Sequence, residues 1–227
     1  MAQPSNIPLS LPVSVIGSQF VAPHPLEVIV EIFSSGNIVI TDTDNKIILK
    51  VKPCDSSFHL QRLLVDPYDR PLVLLREKNL SEHKRWEVFR GDSKTDSNLI
   101  FSTKTKHMIQ SKTHVNVFLA NKTSDKDYCD FKIEGSWSKR NCSIHMRGSS
   151  SPIAQIHTYQ PIENAQLAKG KFMVTIYPSV DHAFVVALIA ILDGMKNSDS
   201  TDQVAGAVTE QVAGSVTGSL VEALFAS

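Results

Sequence analysis

The residues of this chain best suited to chemistry are the cations of Lys104-Thr-Lys-His-Met-Ile-Gln-Ser-Lys-Thr-His114. If the flanking segments 99–104 and 114–120 pair as a hairpin, Lys104, Lys106 and Lys112 gather near its connection. Lys139 and Arg140, with Arg147, would add charge from a neighbouring strand pair. Ammonium and guanidinium groups grouped in this way attract phosphate and carboxylate, which makes the cluster a candidate site for lipid headgroups. The competing reading is a solvated strand end whose lysines guard an edge.

No other residues assemble into a reaction centre. Ser81-Glu-His-Lys84 and Ser136-Trp-Ser-Lys139 match S-x-x-K, but hydrolases that use it need a helix start and two further motifs that are absent. There is no G-x-S-x-G, no P-loop and no G-x-G-x-x-G. The eight histidines are scattered without metal-ligand spacing. The three cysteines, Cys54, Cys129 and Cys142, lack a C-x-x-C pair and suit reduced thiols buried as small hydrophobes. The expectation is a non-enzyme with no catalytic residue, no cofactor and no metal. Trp86 and Trp137 read as core aromatics, Asp181 as a helix cap, and His182 as a capping or loop-contacting side chain.

Lys plus Arg equals Asp plus Glu at 23 each, and the resulting formal charge of zero argues against a protein that coats nucleic acid. The first dozen residues have no basic region and are interrupted by prolines, so no signal peptide is expected. The expected location is the cytoplasm, with the membrane periphery or the nucleus as alternatives.

These side chains must be positioned by strands and one helix. Every residue of 183–192 is apolar, so no helical face there suits water and the helix must be enclosed on all sides. It falls short of the roughly 20 apolar residues that span a bilayer, and Asp181, His182 and Asp193 bracket it. A sheet must therefore wrap around it. Strand-like segments lie at 26–33, 38–41, 46–51, 58–65, 72–76, 85–90, 99–104, 114–120, 128–134, 142–146, 153–158 and 172–177, separated by polar turns such as Asp66-Pro-Tyr-Asp-Arg-Pro71. Such recurrence indicates a barrel or sandwich built as a meander. Residues 1–22 form an arm, 23–196 the domain, and 197–227 a tail in which Gln203-Val-Ala-Gly is repeated as Gln211-Val-Ala-Gly. Its glycines disfavour a regular helix, so the tail is expected to be disordered or weakly helical.

Four segments, in order, carry a resemblance: His83-Lys-Arg-Trp-Glu-Val-Phe-Arg-Gly91, Cys129-Asp-Phe-Lys-Ile-Glu-Gly-Ser-Trp137, Ile153-Ala-Gln-Ile156, and Val174-Thr-Ile-Tyr-Pro-Ser-Val-Asp-His-Ala-Phe184 with Ala187-Leu-Ile-Ala-Ile-Leu192. Together they resemble the plant LURP-one-related family over residues 23–196. The resemblance implies a tubby C-terminal-like fold, also seen in phospholipid scramblases: a closed antiparallel twelve-stranded β-barrel around a central hydrophobic α-helix. It implies no enzyme activity, an unassigned molecular function and a link to plant defence. Two loops depart from the family pattern, at 167–172 and at Pro67-Tyr-Asp-Arg70. The expected role is a binding or adaptor module for an unknown protein partner, with anionic phospholipid as the alternative ligand and nucleic acid excluded.

Overall fold

The computed structural model describes residues 12–54, 60–78, 85–109, 112–120, 128–159 and 170–196, without the side chains of 106–109. Twelve strands are found among them: β1 (Leu26–Ile32), β2 (Ile38–Thr41), β3 (Ile47–Cys54), β4 (Gln61–Val65), β5 (Pro71–Lys78), β6 (Arg85–Arg90), β7 (Leu99–Ile109), β8 (Lys112–Leu119), β9 (Phe131–Ser136), β10 (Asn141–Met146), β11 (Pro152–Thr158) and β12 (Lys171–Ile176). Each pairs antiparallel with its sequence neighbours. The β1–β12 ladder, with Val28 opposite Val174, closes the sheet into a barrel and leaves no free edge.

The strand pair that closes the barrel alternates strictly. In β12, Phe172, Val174 and Ile176 are buried while Lys171, Met173 and Thr175 are not, and their partners Val28 and Val30 in β1 are buried in step. A one-residue slip would turn every such side chain to the other face, so the apolar pattern sets the register. At the β9–β10 turn the two backbones approach unusually closely. A Cβ on Gly135 would lie 2.2 Å from the Asn141 carbonyl oxygen, and its φ of 130° belongs to glycine alone.

The chain divides into two units, residues 1–190 and 191–227. In the first, the barrel surrounds helix α1 (182–196) over its residues 182–190: Ala183 to Ala190 are all essentially inaccessible to water. Phe184 packs its ring against Phe101 of β7 and Phe131 of β9. From β4, the buried Arg62 donates through Nη1 to the Ala190 carbonyl at 3.1 Å and so ties the wall to the helix. In the second unit, residues 191–196 are helical and Ile191, Leu192, Asp193 and Met195 are buried. The repeat-bearing tail lies outside the described residues.

One hairpin differs from expectation. β7 continues to Ile109 and β8 starts at Lys112, so the segment read as a broad connection is mostly strand. Thr103 and Thr105 keep the inward alternation with small β-branched side chains, and Lys104 between them takes the outer face; the polar composition of both faces concealed the strand.

Candidate functional site

The extended hairpin separates the five candidate cations. Lys112 and Lys139 are exposed at one end of the barrel, where the start of β8 and the β9–β10 turn are joined by a 3.0 Å hydrogen bond from the Trp137 N–H to Thr113 Oγ1. Arg140 sits in the same turn, but its guanidinium is stacked 3.9 Å from the Trp137 ring centroid and 4.5 Å from that of Phe172. Its charge therefore serves a cation–π contact that covers the core aromatics. Arg147 follows β10 at the far end and stacks over Tyr128. Lys104 lies within β7, opposite Asn116, four positions along β8 from Lys112. Lys106 is in β7 with its side chain outside the described residues.

Strand register places Lys104 in a different group. Reading across the outer face, Lys78 of β5 stands opposite Arg85 of β6, Arg85 opposite Lys104 of β7, Lys104 opposite Asn116 of β8, and Asn116 opposite Lys132 of β9. Four cations and one amide thus form a single cross-strand row. Like charges directly opposite each other destabilise a sheet. Lys78 is held by Glu87 at 2.9 Å, but no ion pair joins Arg85, Lys104 or Lys132 to an acid among the described residues. At the centre, Asn116 is 8% exposed although its position faces outward, and its Oδ1 accepts no hydrogen bond. Arg85, Asn116 and Lys132 were missed in the sequence because a row across strands has no sequence spacing. The available signal was that Arg85 opens one strand and Lys104 closes the reading of the next, which a hairpin would set opposite each other.

The other end of the barrel is organised by Asp181, at the start of α1. Its Oδ1 accepts the Phe184 N–H at 3.0 Å, the expected helix cap. Its Oδ2 accepts the N–H groups of Val15, Ile16 and Gly17 at 3.1, 2.7 and 3.0 Å. Around this contact, Val13 and Val21 bridge to Val180 and Asp181, and Arg90 donates to the Ile16 carbonyl at 2.9 Å. Residues 13–21 of the expected arm are therefore strapped across the helix entrance. His182 meets Phe20 edge-on at 5.4 Å, the loop contact expected of it. Burial lowers its imidazole pKa, against the raising effects of a hydrogen bond to the Phe20 backbone and of the Asp181 charge.

Of the two S-x-x-K matches, only Ser136-Trp-Ser-Lys139 falls on described residues, and it starts no helix. Ser81 lies outside the described residues, and Ser136 ends β9 with its hydroxyl 3.2 Å from that of Ser138. Among the described residues no three His, Cys, Asp or Glu side chains converge as a metal site requires, and no helix is long and apolar enough to cross a membrane.

Comparison with known proteins places this geometry in context. The family model described as LURP-one-related matches residues 28–193. Protein LURP-one-related 15 of Arabidopsis thaliana is 37% identical over 189 residues, covering 82% of this chain and 87% of that protein. Protein LURP-one-related 10 is 38% identical, over 83% of this chain and 100% of its own length, and protein LURP1 is 36% identical over 80% and 89%, both from the same plant. An X-ray structure of an Arabidopsis thaliana protein superposes with a TM-score of 0.63 at 34% identity, covering 80% of this chain and 98% of that one.

Proposed function

This chain belongs to the LURP-one-related family, and from that premise we propose that it is a non-enzymatic binding or adaptor module, acting in plant defence or stress responses, that engages a protein partner through the outside of its barrel. The observation that carries this reading is the filled interior. Helix residues 183–190 occupy the space a barrel could otherwise offer a ligand, and Phe184 packs against wall aromatics on two strands. Recognition then falls to the outer face, where uncompensated charge stands at ordered strand positions. In this reading residues 23–196 are the working domain, 1–22 an arm and 197–227 a tail, and the protein acts in the cytoplasm with access to membranes or the nucleus.

The test is proximity labelling in plant cells, then reconstitution of the recovered partner with the purified full chain and cross-linking. Cross-links on outward residues of the barrel wall support the reading. Failure of any partner to reconstitute, or substrate turnover by the purified chain, overturns it.

A second reading, a peripheral membrane protein binding anionic phospholipid, draws on the exposure of Lys112 and Lys139 at one barrel end. Each such lysine near an anionic surface contributes about 1 kcal/mol, so binding would be weak and salt-sensitive. Flotation with phosphatidylserine vesicles at low and high salt decides it; no association at low salt removes the reading.

A further inference from the structure

We propose that the cross-strand row Lys78–Arg85–Lys104–Asn116–Lys132 is a docking rail for an extended acidic segment of a partner protein. The inference rests on the adaptor reading and names the surface and the chemistry of the partner. Three observations converge on it.

The first is charge placed against the sheet's own preference. Lys78 faces Arg85 and Arg85 faces Lys104 in direct register, an arrangement that weakens strand pairing. Among the described residues no carboxylate is paired with Arg85, Lys104 or Lys132, in a chain that carries as many acids as bases. An anionic ligand relieves that repulsion when it binds.

The second is the amide at the centre. Asn116 lies between Lys104 and Lys132 with Oδ1 buried and accepting nothing. A buried acceptor without a donor is unusual. Rotation of the side chain brings Oδ1 out to a donor that an extended peptide carries at every residue, a backbone N–H, while a phosphodiester has none to give.

The third is width. The row is flanked by acids at outward positions, Glu87 two residues from Arg85 and Asp130 and Glu134 two residues to either side of Lys132, with Arg76 as a flanking cation opposite Glu87. A bilayer surface would press its anionic charge on those carboxylates together with the lysines, whereas a single extended chain can follow the cations alone. Four strand spacings of about 4.8 Å carry the row about 19 Å, the reach of roughly six residues of extended chain. Acids at every second position of such a chain share one face. The partner segment is therefore an alternating acidic stretch of about that length.

The test is fluorescence anisotropy with the full chain and a labelled heptapeptide Glu-Thr-Glu-Thr-Glu-Thr-Glu, beside phosphatidylserine vesicles. Wild-type protein should bind the peptide saturably and more weakly as salt rises. R85E/K104E should lose at least tenfold in affinity and gain affinity for the matching Lys-Thr heptapeptide. Asn116→Leu should lose about threefold while salt dependence is unchanged. Melting curves check folding, and the exposed single variant Lys132→Glu, expected to lose about threefold, decides the matter if the double variant is unfolded. No saturable peptide binding by wild type, or equal affinity in folded variants, overturns the proposal. Vesicle binding that depends on Arg85 and Lys104 without peptide binding also overturns it and assigns the row to membranes. Partner cross-links on the wall but away from this row would sink the rail while leaving the adaptor reading intact.

Discussion

Asp181 and Ile16 stand 165 positions apart in the chain and are joined by a 2.7 Å hydrogen bond, from the Ile16 N–H to a carboxylate oxygen with no exposed surface. The same oxygen holds Val15 and Gly17, and its twin caps the helix at Phe184. One side chain thereby ties the N-terminal strap to the start of α1. Asp181→Ala would leave four N–H groups without their acceptor in a largely dry site, at about 1–3 kcal/mol for each that water cannot reach. The expected outcome is a loss of at least about 3 kcal/mol in urea unfolding. A loss under about 1 kcal/mol would show that the strap contributes little to the fold.

Leu188 is fully buried within the helix segment that the barrel surrounds. Leu188→Ala should cost about 2–5 kcal/mol. Leu188→Asp should abolish folding, since an unpaired buried carboxylate costs several kcal/mol against a total of about 5–15. Native-like circular dichroism and a cooperative melt for the aspartate variant would contradict the enclosed position.

His182 predicts a pH dependence with a definite sign. Its pKa in the fold lies below the ordinary imidazole value of 6.5, with burial as the leading cause. Above pH 6.5 the ring is neutral in folded and unfolded chains alike and the full stability is present. As pH falls below 6.5 the unfolded chain takes up a proton that the fold resists, and stability declines until the folded ring also titrates. Unfolding free energies between pH 7.5 and 5 should therefore fall less in His182→Phe than in wild type. Parallel curves would remove His182 as a cause.

The cysteines should differ in reactivity. Burial pushes the Cys142 thiol up to about 11, so almost no thiolate is present at pH 8, whereas Cys54 is half-exposed. Iodoacetamide at pH 8 should label Cys54 well before Cys142, as read by peptide mass spectrometry. Equal labelling under native conditions would mean that the β9–β10 region opens readily.

The basic row carries a stability consequence of its own. Lys104→Glu places a carboxylate directly opposite Arg85 and exchanges a like-charge pair for an opposite one, which should stabilise the barrel by about 0.2–1 kcal/mol. The expected result is a slightly raised melting temperature that diminishes with salt. A lowered one would show that the lysine stem packs in a way that outweighs its charge.

Much of the fold was legible in the residues. The uninterrupted apolar run of 183–192 required enclosure, and alternation marked segments at all twelve strands, because side-chain period and burial are local consequences of backbone geometry. Trp86 and Trp137 are buried as read, and Asp181 caps the helix as read. The hairpin boundary at Lys104 was misplaced because buried threonines alternating with a lysine lack the apolar signature of a strand and resemble a loop.

What the sequence by itself determined is the inventory: apolar strands alternating for one inner face, a helix with no polar side, and balanced charge. Tertiary structure alone decided which distant residues meet. Arg85, Lys104, Asn116 and Lys132 form a row only because four strands pair in one register. Likewise, Asp181 finds Ile16 only because strands β1 to β12 return the chain to the barrel end where it began. Sequence patterns report periods of two and 3.6 residues along the backbone. Contacts across strands depend on hydrogen-bond register and closure, which are properties of the assembled sheet.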